Sequence, residues 1–482
     1  MKKIIYICLF TFATMTCSAS CGSGENNDNS LPSTTNTSWP IYENLSDNQL
    51  MDTIQYYSMN YFWDGAEPHS GLGRERIMLS NIYPSNDANI VTTGGSGFGL
   101  MALIVGTSRG WIPRSEVLNR FDRILTFLES SDRYHGAWSH WIDGETGHTK
   151  PFSTKDDGGD LPETAMLAQG LICVQEYFKN GDAQAQDISK RAEALWKGID
   201  FRWYQNDKDW LYWHWSPNYG WDMNMPLRAY NETLIAYLIG AASPDYQITR
   251  AAWDTGWYQD GAVMVPTTKY GITLPIKHVG NHSAGGPLFW AHYSYCGFNP
   301  MITHDKYVDY KQINTAHVML NRAYCIANPK DYPGYGESLW GLTSSYSPNG
   351  YAQWESEGGR KTGITYKPSV LYPGYASHNP DTDYGVISPT AALSSMPYAP
   401  TEVMKVARNI YENLGTKAFR KYGPIDAFSL ELDWFPEMYL AIDQGPIVCM
   451  IENYRTGLLW NLFMGNEDVQ KGLSFLDITV KN

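Results

Sequence analysis

The stretch that decides the fold reads Ser115-Glu116-Val117-Leu118-Asn119-Arg120-Phe121-Asp122-Arg123-Ile124-Leu125-Thr126-Phe127-Leu128. Apolar residues recur in it every three or four positions, behind polar residues suited to a helix start, and this predicts an amphipathic helix. The same period follows Ser46, and it follows Pro400-Thr401-Glu402 up to Gly415. Further helices are expected at 94–109, 162–179, 185–203, 230–241, 309–328, 335–346, 434–443, 446–463 and 466–477.

Strand signals are few by comparison. Short ones at 210–215, 257–274 and 364–372 are typical of hairpins within loops. About a dozen helices with long connections rich in Gly and Pro predict an all-α body formed by one domain, residues 41–482. A toroid of paired helices, the (α/α)6 barrel, fits this number, and a packed helical solenoid fits the periodicity equally well. The lack of a short internal sequence repeat argues mildly against the solenoid.

The first residues have the form of an export signal. Lys2-Lys3 precede an apolar run, 4–13, that is too short to span a membrane. Small residues then lead into Cys21, which resembles the lipidated cysteine of a bacterial lipoprotein; Cys17 is the weaker candidate, and ordinary secretion is the alternative. We expect a lipid-anchored protein of the outer membrane or periplasm, with a signal peptide at 1–20 and a flexible tether at 21–40.

Composition and charge limit the classes of partner that the protein is expected to bind. The chain has 482 residues and a net charge of -14, and it has no basic stretch, which argues against nucleic acid. Aromatic residues make up 14% of it, with 18 Trp and 34 Tyr, a composition that suits neutral polyhydroxylated ligands but also a large helical core. Four cysteines beyond the signal region lack CxxC spacing, and we expect them to be buried core residues: Cys173, Cys296, Cys325 and Cys449.

An acidic loop lies at 153–163, shortly after the His- and Trp-rich stretch 135–141. Carboxylates beside indole rings suit glycoside hydrolysis, because one acid protonates the leaving oxygen, another activates water, and aromatic faces hold the sugar. Part of this loop, Asp160-Leu161-Pro162-Glu163, also has the form of a helix start. In that interpretation Asp160 is the N-cap and Glu163 reaches back to it as in a capping box.

Several segments together resemble the bacterial glucoamylase-like domain grouped as glycoside hydrolase family 144. They span nearly the whole mature chain in order, so the match is more specific than any one motif. The segments include Tyr61-Phe62-Trp63-Asp64, Tyr230-Asn231-Glu232 and Asp443-Gln444-Gly445-Pro446, together with 71–76, 93–100, 135–141, 143–147, 156–163, 285–293, 340–343, 388–392 and 452–457.

The resemblance implies an (α/α)6 barrel and hydrolysis of β-1,2-linked glucan with inversion at the anomeric carbon. Members of the family include endo-acting enzymes and enzymes that release the disaccharide sophorose from chain ends. The acidic residues carried over are Asp156, Asp160 and Glu232. We assign Glu232 as the general acid, provided that an apolar aromatic wall raises its pKa, and Asp160 or Asp156 as the general base or the holder of the water. The alternative for Glu232 is an acid stabilised by a helix start.

Other polar and aromatic residues are candidate sugar contacts. We predict substrate binding by Trp138, His140, Trp141, Arg76, His282, His292, Trp213, Trp215 and Trp354. No HExxH, CxxC or EF-hand pattern is present, so neither a metal nor a cofactor is predicted. The glycine-rich run 94–99 lacks the Lys-Ser/Thr of a phosphate loop and predicts tight helix packing instead.

The leading hypothesis is an inverting glycoside hydrolase that cleaves β-1,2-glucan into sophorose or short sophoro-oligosaccharides. A non-catalytic glycan-binding surface lipoprotein of a polysaccharide uptake system is the alternative, and in both cases other members of such a system are expected partners. The clustered acids argue against it, since binding of a neutral sugar does not require them. A polysaccharide lyase on the same barrel is a third hypothesis, and the net charge of -14 makes its anionic substrate less natural.

Overall fold

The structure is a computed structural model that describes residues 41–81, 83–280, 282–348 and 375–481. All of these residues belong to one compact unit, Pro40–Asn482. The predicted signal peptide, the tether with Cys21, the strand at 364–372 and Trp354 lie outside the described residues.

Helices that are buried on most of their surface alternate along the chain with amphipathic ones. The buried helices are α2 (Thr93–Ser108), α4 (Leu161–Phe178), α6 (Leu234–Ala242), α8 (Pro389–Leu393) and α10 (Ala441–Thr456). The amphipathic ones are α1 (Asp47–Trp63), α3 (Arg114–Ser130), α5 (Ala183–Lys197), α7 (Tyr310–Ala327) and α9 (Pro400–Arg408). Shorter segments continue the alternation: a π-helical turn at Ala252–Trp257 and 3-10 turns at Leu288–Ala291 and Tyr293–Tyr295.

This alternation follows from the sequence periods. A helix with one apolar stripe, such as α3 with Val117, Phe121 and Leu125 buried, covers a core from outside. A helix that is apolar all round, such as α6, has to be surrounded. The result is the (α/α)6 barrel expected from the sequence, with buried helices inside and amphipathic helices outside.

Several helix boundaries are set by capping. Ser46 and Gln49 form a capping box at the start of α1. A π-helical turn, Asn409–Leu414, extends α9 as far as Gly415. Two more helices follow, α11 (Leu458–Gly465) and α12 (Glu467–Phe475). Further 3-10 turns are Pro84–Asn89, Trp203–Gln205, Gln259–Gly261 and Gly415–Lys417.

The strands are short and lie in the loops. The hairpin predicted within 257–274 is β7 (Thr267–Lys269) with β8 (Ile272–Leu274). The strand predicted at 210–215 is β6 (His214–Trp215), which pairs with β5 (Gly159–Asp160) in the acidic loop. The others are β1 (Arg76–Met78), β2 (Ile90–Thr92), β3 (Trp141–Asp143), β4 (Thr149–Lys150), β9 (Thr303–His304), β10 (Ser344–Tyr346), β11 (Tyr375–Ser377), β12 (Phe419–Arg420), β13 (Gly423–Pro424), β14 (Met438–Leu440) and β15 (Thr479–Val480).

Two predicted helices are wrong. Residues 335–346 form irregular backbone that ends in β10, and Gly341 there has φ 131°, a conformation outside any helix. Residues 434–443 contain β14, which pairs with β1, and the helix begins only at Ala441. Short apolar runs of this kind fit a helix or a buried strand equally well, so periodicity does not separate the two.

Glycines set the distance between α2 and α4. A Cβ at Gly97 would lie 2.2 Å from the carbonyl oxygen of Met166, and one at Gly170 would lie 2.3 Å from the carbonyl oxygen of Gly97. The run 94–99 is therefore a site of tight helix packing, as predicted.

The cysteines outside the signal region behave as predicted. Cys173, Cys296, Cys325 and Cys449 are all buried and free. Within the described ranges, none of the helices combines the length and apolar character needed to cross a membrane.

Candidate active site

A cavity of about 430 Å³ lies where the inner helices begin. Its wall includes residues just before or within the first turns of α2, α4, α6 and α10. The lining residues are Glu75, Thr92, His140, Trp141, Phe152, Glu163, Met166, Trp213, Glu232, Phe289, Tyr293, Ser344, Tyr346, Tyr375, Ser377, Leu440 and Ile442. An aromatic wall with a few convergent polar groups is typical of a small-molecule or sugar site.

Glu232 is held at the cavity by a turn that precedes α6. Asn231 Oδ1 accepts hydrogen bonds from the amide and the hydroxyl of Thr233, at 3.0 and 2.7 Å. The hydroxyl of Ser294 donates to the backbone carbonyl of Glu232. Burial raises the pKa of Glu232 to about 7, and the charges of Glu163 and Asp160 act in the same direction. A carboxyl group with this pKa is protonated in a large fraction of molecules near neutral pH, as a general acid must be.

Glu163 also lines the cavity, although the sequence indicated only a capping role for it. Asp160 is the N-cap of α4, as predicted, and accepts from the Glu163 amide at 3.0 Å. The carboxylate of Glu163 does not return to Asp160, so the capping-box part of that interpretation is wrong. Its Oε2 instead accepts from the amide of Gly94 at 2.7 Å, and its Oε1 lies 4.0 Å from Nε2 of His140.

Asp160 and Asp156 lie behind the cavity wall. Asp160 is fully buried and has partners on both oxygens: Oδ1 caps α4, while Oδ2 accepts from His140 Nδ1 and from the indole of Trp213, each at 2.9 Å. Asp156 is 5% exposed, and its Oδ1 lies 3.3 Å from Nε2 of His214. Burial and the charge of Asp160 raise the pKa of Asp156 to about 7.

His140 is at the centre of this group of acids. Burial lowers the pKa of His140, but Glu163 and Asp160 outweigh it and raise the pKa to about 10. The side chain is therefore an imidazolium at neutral pH. Phe152 stacks on it at 4.2 Å between ring centres, and Trp141 meets it edge-on at 5.9 Å.

The ligand atoms of His140, Asp156 and Asp160 lie within 4.8 Å of one another, which raises the question of a metal ion. Nδ1 of His140 is already hydrogen-bonded to Oδ2 of Asp160, and both oxygens of Asp160 have further partners in the Glu163 amide and the Trp213 indole. We therefore interpret the cluster as an ion pair with its neighbouring acid and assign no metal ligands.

The predicted sugar contacts in the described residues divide into three groups. His140, Trp141 and Trp213 line the cavity. Trp138 and His292 are buried elsewhere: the Trp138 indole donates to the carbonyl of Leu128, and His292 bonds Ser395. The side chains of these two residues are enclosed in the core and do not line the cavity.

Three further predicted contacts are absent from the cavity lining. Arg76 forms an ion pair with Glu75, and its guanidinium lies 5.4 Å from the ring centre of Tyr346. His282 meets Trp290 edge-on at 5.5 Å. Trp215 packs against the ring of His135 at 4.8 Å.

The sequence did not single out several lining residues. Phe152 is half exposed at the cavity, and Tyr293 and Tyr346 come from distant parts of the chain. Tyr293 lies within the segment 285–293 that carries the family resemblance, which was a usable signal. Phe152 directly precedes the acidic loop, but a single Phe beside charged residues carries no signal of its own.

A helical barrel with acids in an aromatic cavity at the ends of its inner helices is an arrangement suited to glycoside hydrolysis. Residues 224–467 match the family model described as "Glycoamylase: Putative glucoamylase". The chain belongs to this glucoamylase-like family, which agrees with the family 144 resemblance of the sequence.

Individual relatives are named for one substrate. An endo-β-1,2-glucanase from Chitinophaga pinensis, solved with sophorotriose and glucose, is 50% identical with a TM-score of 0.85, over 90% of this chain and 99% of that one. A β-1,2-glucanase from Parabacteroides distasonis is 39% identical with a TM-score of 0.80, over 90% of this chain and 60% of that one.

A curated relative from the same Parabacteroides species is an exo β-1,2-glucooligosaccharide sophorohydrolase acting at the non-reducing end. It is 40% identical over 93% of this chain. The chain spans 60% of the length of that relative.

Proposed function

We propose that this chain is an inverting glycoside hydrolase that cleaves β-1,2-glucan into sophorose or short sophoro-oligosaccharides. The observation that carries the proposal is Glu232, a carboxyl group with a pKa of about 7 that faces an aromatic cavity shared with other carboxylates. The names of the relatives from Chitinophaga and Parabacteroides support the choice of β-1,2-linked substrate.

Glu232 acts as the general acid in this proposal. It donates its proton to the glycosidic oxygen while water attacks the anomeric carbon from the other side of the ring. Trp141, Trp213 and Phe152 offer ring faces to the sugar. Asp160 and Asp156 contribute on the water side by fixing the position and charge of His140, because neither lines the cavity itself.

The decisive experiment is incubation of the purified protein with linear β-1,2-glucan, with products followed by chromatography and their anomeric form by NMR. We expect oligosaccharides whose new reducing ends are initially α, and no cleavage of β-1,3- or β-1,4-glucan. A ladder of sizes would indicate endo action, and sophorose alone would indicate exo action. Binding of the glucan without products would instead support the non-catalytic glycan-binding alternative, and β-anomeric products would refute inversion.

We further propose that the chain is anchored to a membrane through lipid on Cys21, on the basis of the signal-like segment 1–20. We expect the wild-type protein, expressed in a Gram-negative host, to incorporate labelled fatty acid and to sediment with membranes. Cys21→Ser should remove the label and release the protein from the membrane fraction. Cys17→Ser is the matched control and should change neither; loss of the label in that variant alone would move the anchor to Cys17.

A further inference from the structure

We propose that Glu163 is the base that deprotonates the attacking water and that His140 is the positioning residue that holds this water against it. The inference rests on the proposed glycosidase function and assigns the second catalytic group of that reaction. The sequence indicated Asp160 or Asp156 for this role, so the inference changes the residue that does the chemistry.

The other nearby carboxylates are less able to act on water. Asp160 uses both oxygens to cap α4 and to bind His140 and Trp213. Asp156 does not line the cavity, and Glu75 is paired with Arg76. Glu163 lines the cavity with one oxygen anchored by Gly94, which leaves Oε1 for a further contact.

The position of the water follows from one distance. Nε2 of His140 and Oε1 of Glu163 are 4.0 Å apart, too far for a direct hydrogen bond and suited to a bridge through one water. The Nε2–H donates to the water oxygen, and the water donates to Oε1. In this arrangement a lone pair of the water remains free to attack the sugar. The proton that the water must lose already points at the carboxylate that accepts it.

Glu163 and Glu232 differ in the charged and polar groups that surround them. Burial raises the pKa of Glu163 above its usual value, and the charge of Asp160 adds to the rise, while the imidazolium of His140, the Gly94 amide and the Thr92 hydroxyl act against it. For Glu232, burial and the charges of Glu163 and Asp160 raise the pKa, and no cation of the described residues is among the main causes that act on it. Different surroundings give two carboxyl groups at one site the roles of acid and base. We assign Glu163 as the ionised partner because the Gly94 amide binds its carboxylate and His140 lies 4.0 Å from it, and Glu232 as the protonated one.

The water oxygen bonds to the anomeric carbon, and its proton moves to Glu163 Oε1. The bond from the anomeric carbon to the glycosidic oxygen breaks, and that oxygen takes the proton of Glu232. The products are a sugar with a new reducing end of inverted configuration and a sugar with a free hydroxyl group. After they leave, Glu163 gives its proton to solvent and Glu232 takes one up. An inverting pair needs about 6.5–9.5 Å between its carboxyl groups, and Glu163 and Glu232 stand at the starts of the neighbouring inner helices α4 and α6.

The test compares Glu163→Ala with Glu232→Ala in the full chain, on β-1,2-glucan and on an aryl β-sophoroside with a good leaving group. Loss of a catalytic base should lower kcat about 100- to 10,000-fold on both substrates, since both need an activated water. Loss of the acid should be severe on the glucan and mild on the aryl substrate, which needs no protonation. Azide should restore at least tenfold activity to Glu163→Ala, with an α-glycosyl azide as product, because azide attacks without a base.

Controls separate this role from the proposed function and from misfolding. Glu116→Gln, on the exposed side of α3, should leave kcat unchanged. If wild-type protein does not cleave β-1,2-glucan, the proposed function fails and this role with it. If wild type cleaves it and Glu163→Ala keeps a tenth of the activity, or gains nothing from azide, only the role of Glu163 is refuted. Should Glu163→Ala be unfolded, Glu163→Gln keeps the shape and its kcat decides in the same way.

His140→Gln tests the positioning role through the pH profile. His140 faces Glu163, Asp160 and Asp156, and Phe152 and Trp141 contact its ring. The charge of His140 also acts on His214. Without the imidazolium the pKa of Glu163 rises, so the acid limb of kcat/KM should move to higher pH. A uniform loss of activity at all pH values, with the limb unmoved, would show that His140 is only structural.

Discussion

Glu232→Gln should lower kcat on β-1,2-glucan about 100- to 10,000-fold, the range ascribed to a positioned general acid. The amide keeps the size of the carboxyl group but has no proton to give to the glycosidic oxygen. The backbone bonds around residue 232 come from Asn231, Thr233 and Ser294 and do not involve its carboxyl group. Circular dichroism should therefore show an unchanged fold. Substantial activity in the folded variant would remove Glu232 from the reaction.

The same substitution should stabilise the protein at alkaline pH. The pKa of Glu232 is about 7 in the folded protein against an ordinary value of 4.5, so the folded state binds this proton more tightly than the unfolded chain. The contribution of this group to the free energy of unfolding is therefore greatest below pH 4.5, and it is lost as the pH rises through 7. Glutamine does not titrate, and at pH 8 the variant should be more stable by on the order of 3 kcal/mol.

Urea unfolding at pH 5 and pH 8 measures this difference. The gain of Glu232→Gln should be small at pH 5 and large at pH 8, whereas Glu116→Gln, in an exposed position, should show little change at either. An equal effect at both pH values would mean that Glu232 is not a buried acid with a raised pKa. A variant that is more stable at pH 8 and less active would show the trade-off between stability and activity that is common at active sites.

The barrel could be predicted because its helices carry their own signals. The apolar stripe of α3 consists of residues three or four positions apart, and the cap of α1 also involves residues close together in the chain. Local patterns are therefore enough to find both. The predicted helix at 434–443 was wrong because β14 exists only through its pairing with β1, some 360 residues earlier in the chain. Pairing over such a distance leaves no trace in local periodicity.

The site was predicted less completely for the same reason. Glu232 could be named from the family resemblance, and the structure brings it to the cavity. Asp160 has the same acidic side chain, but the partners that hold it behind the wall come from 138–141 and 213–214 and cannot be read from the loop. Glu163 looked like a capping residue because the amide that binds it belongs to Gly94, on another helix. Residue type shows what a side chain can do, and the packing of distant segments decides whether it meets the substrate.

Gly97→Ala should unfold the barrel or destabilise it by about 3 kcal/mol or more, the upper end for overpacking of a rigid core. The new Cβ would lie 2.2 Å from the carbonyl oxygen of Met166 and 2.6 Å from the Cα of Leu167, and backbone atoms inside α4 cannot turn aside as a flexible side chain could. Both helices would have to separate, and α4 carries Asp160 and Glu163 at its start, so activity should fall together with stability.

Gly465→Ala is the matched control, because it replaces an exposed helical glycine with open space around it and should be neutral or slightly stabilising. Thermal unfolding of both variants compares them directly. If Gly97→Ala melted at the wild-type temperature, α2 and α4 would not be in the close contact described, and the cavity at their ends would have a different shape.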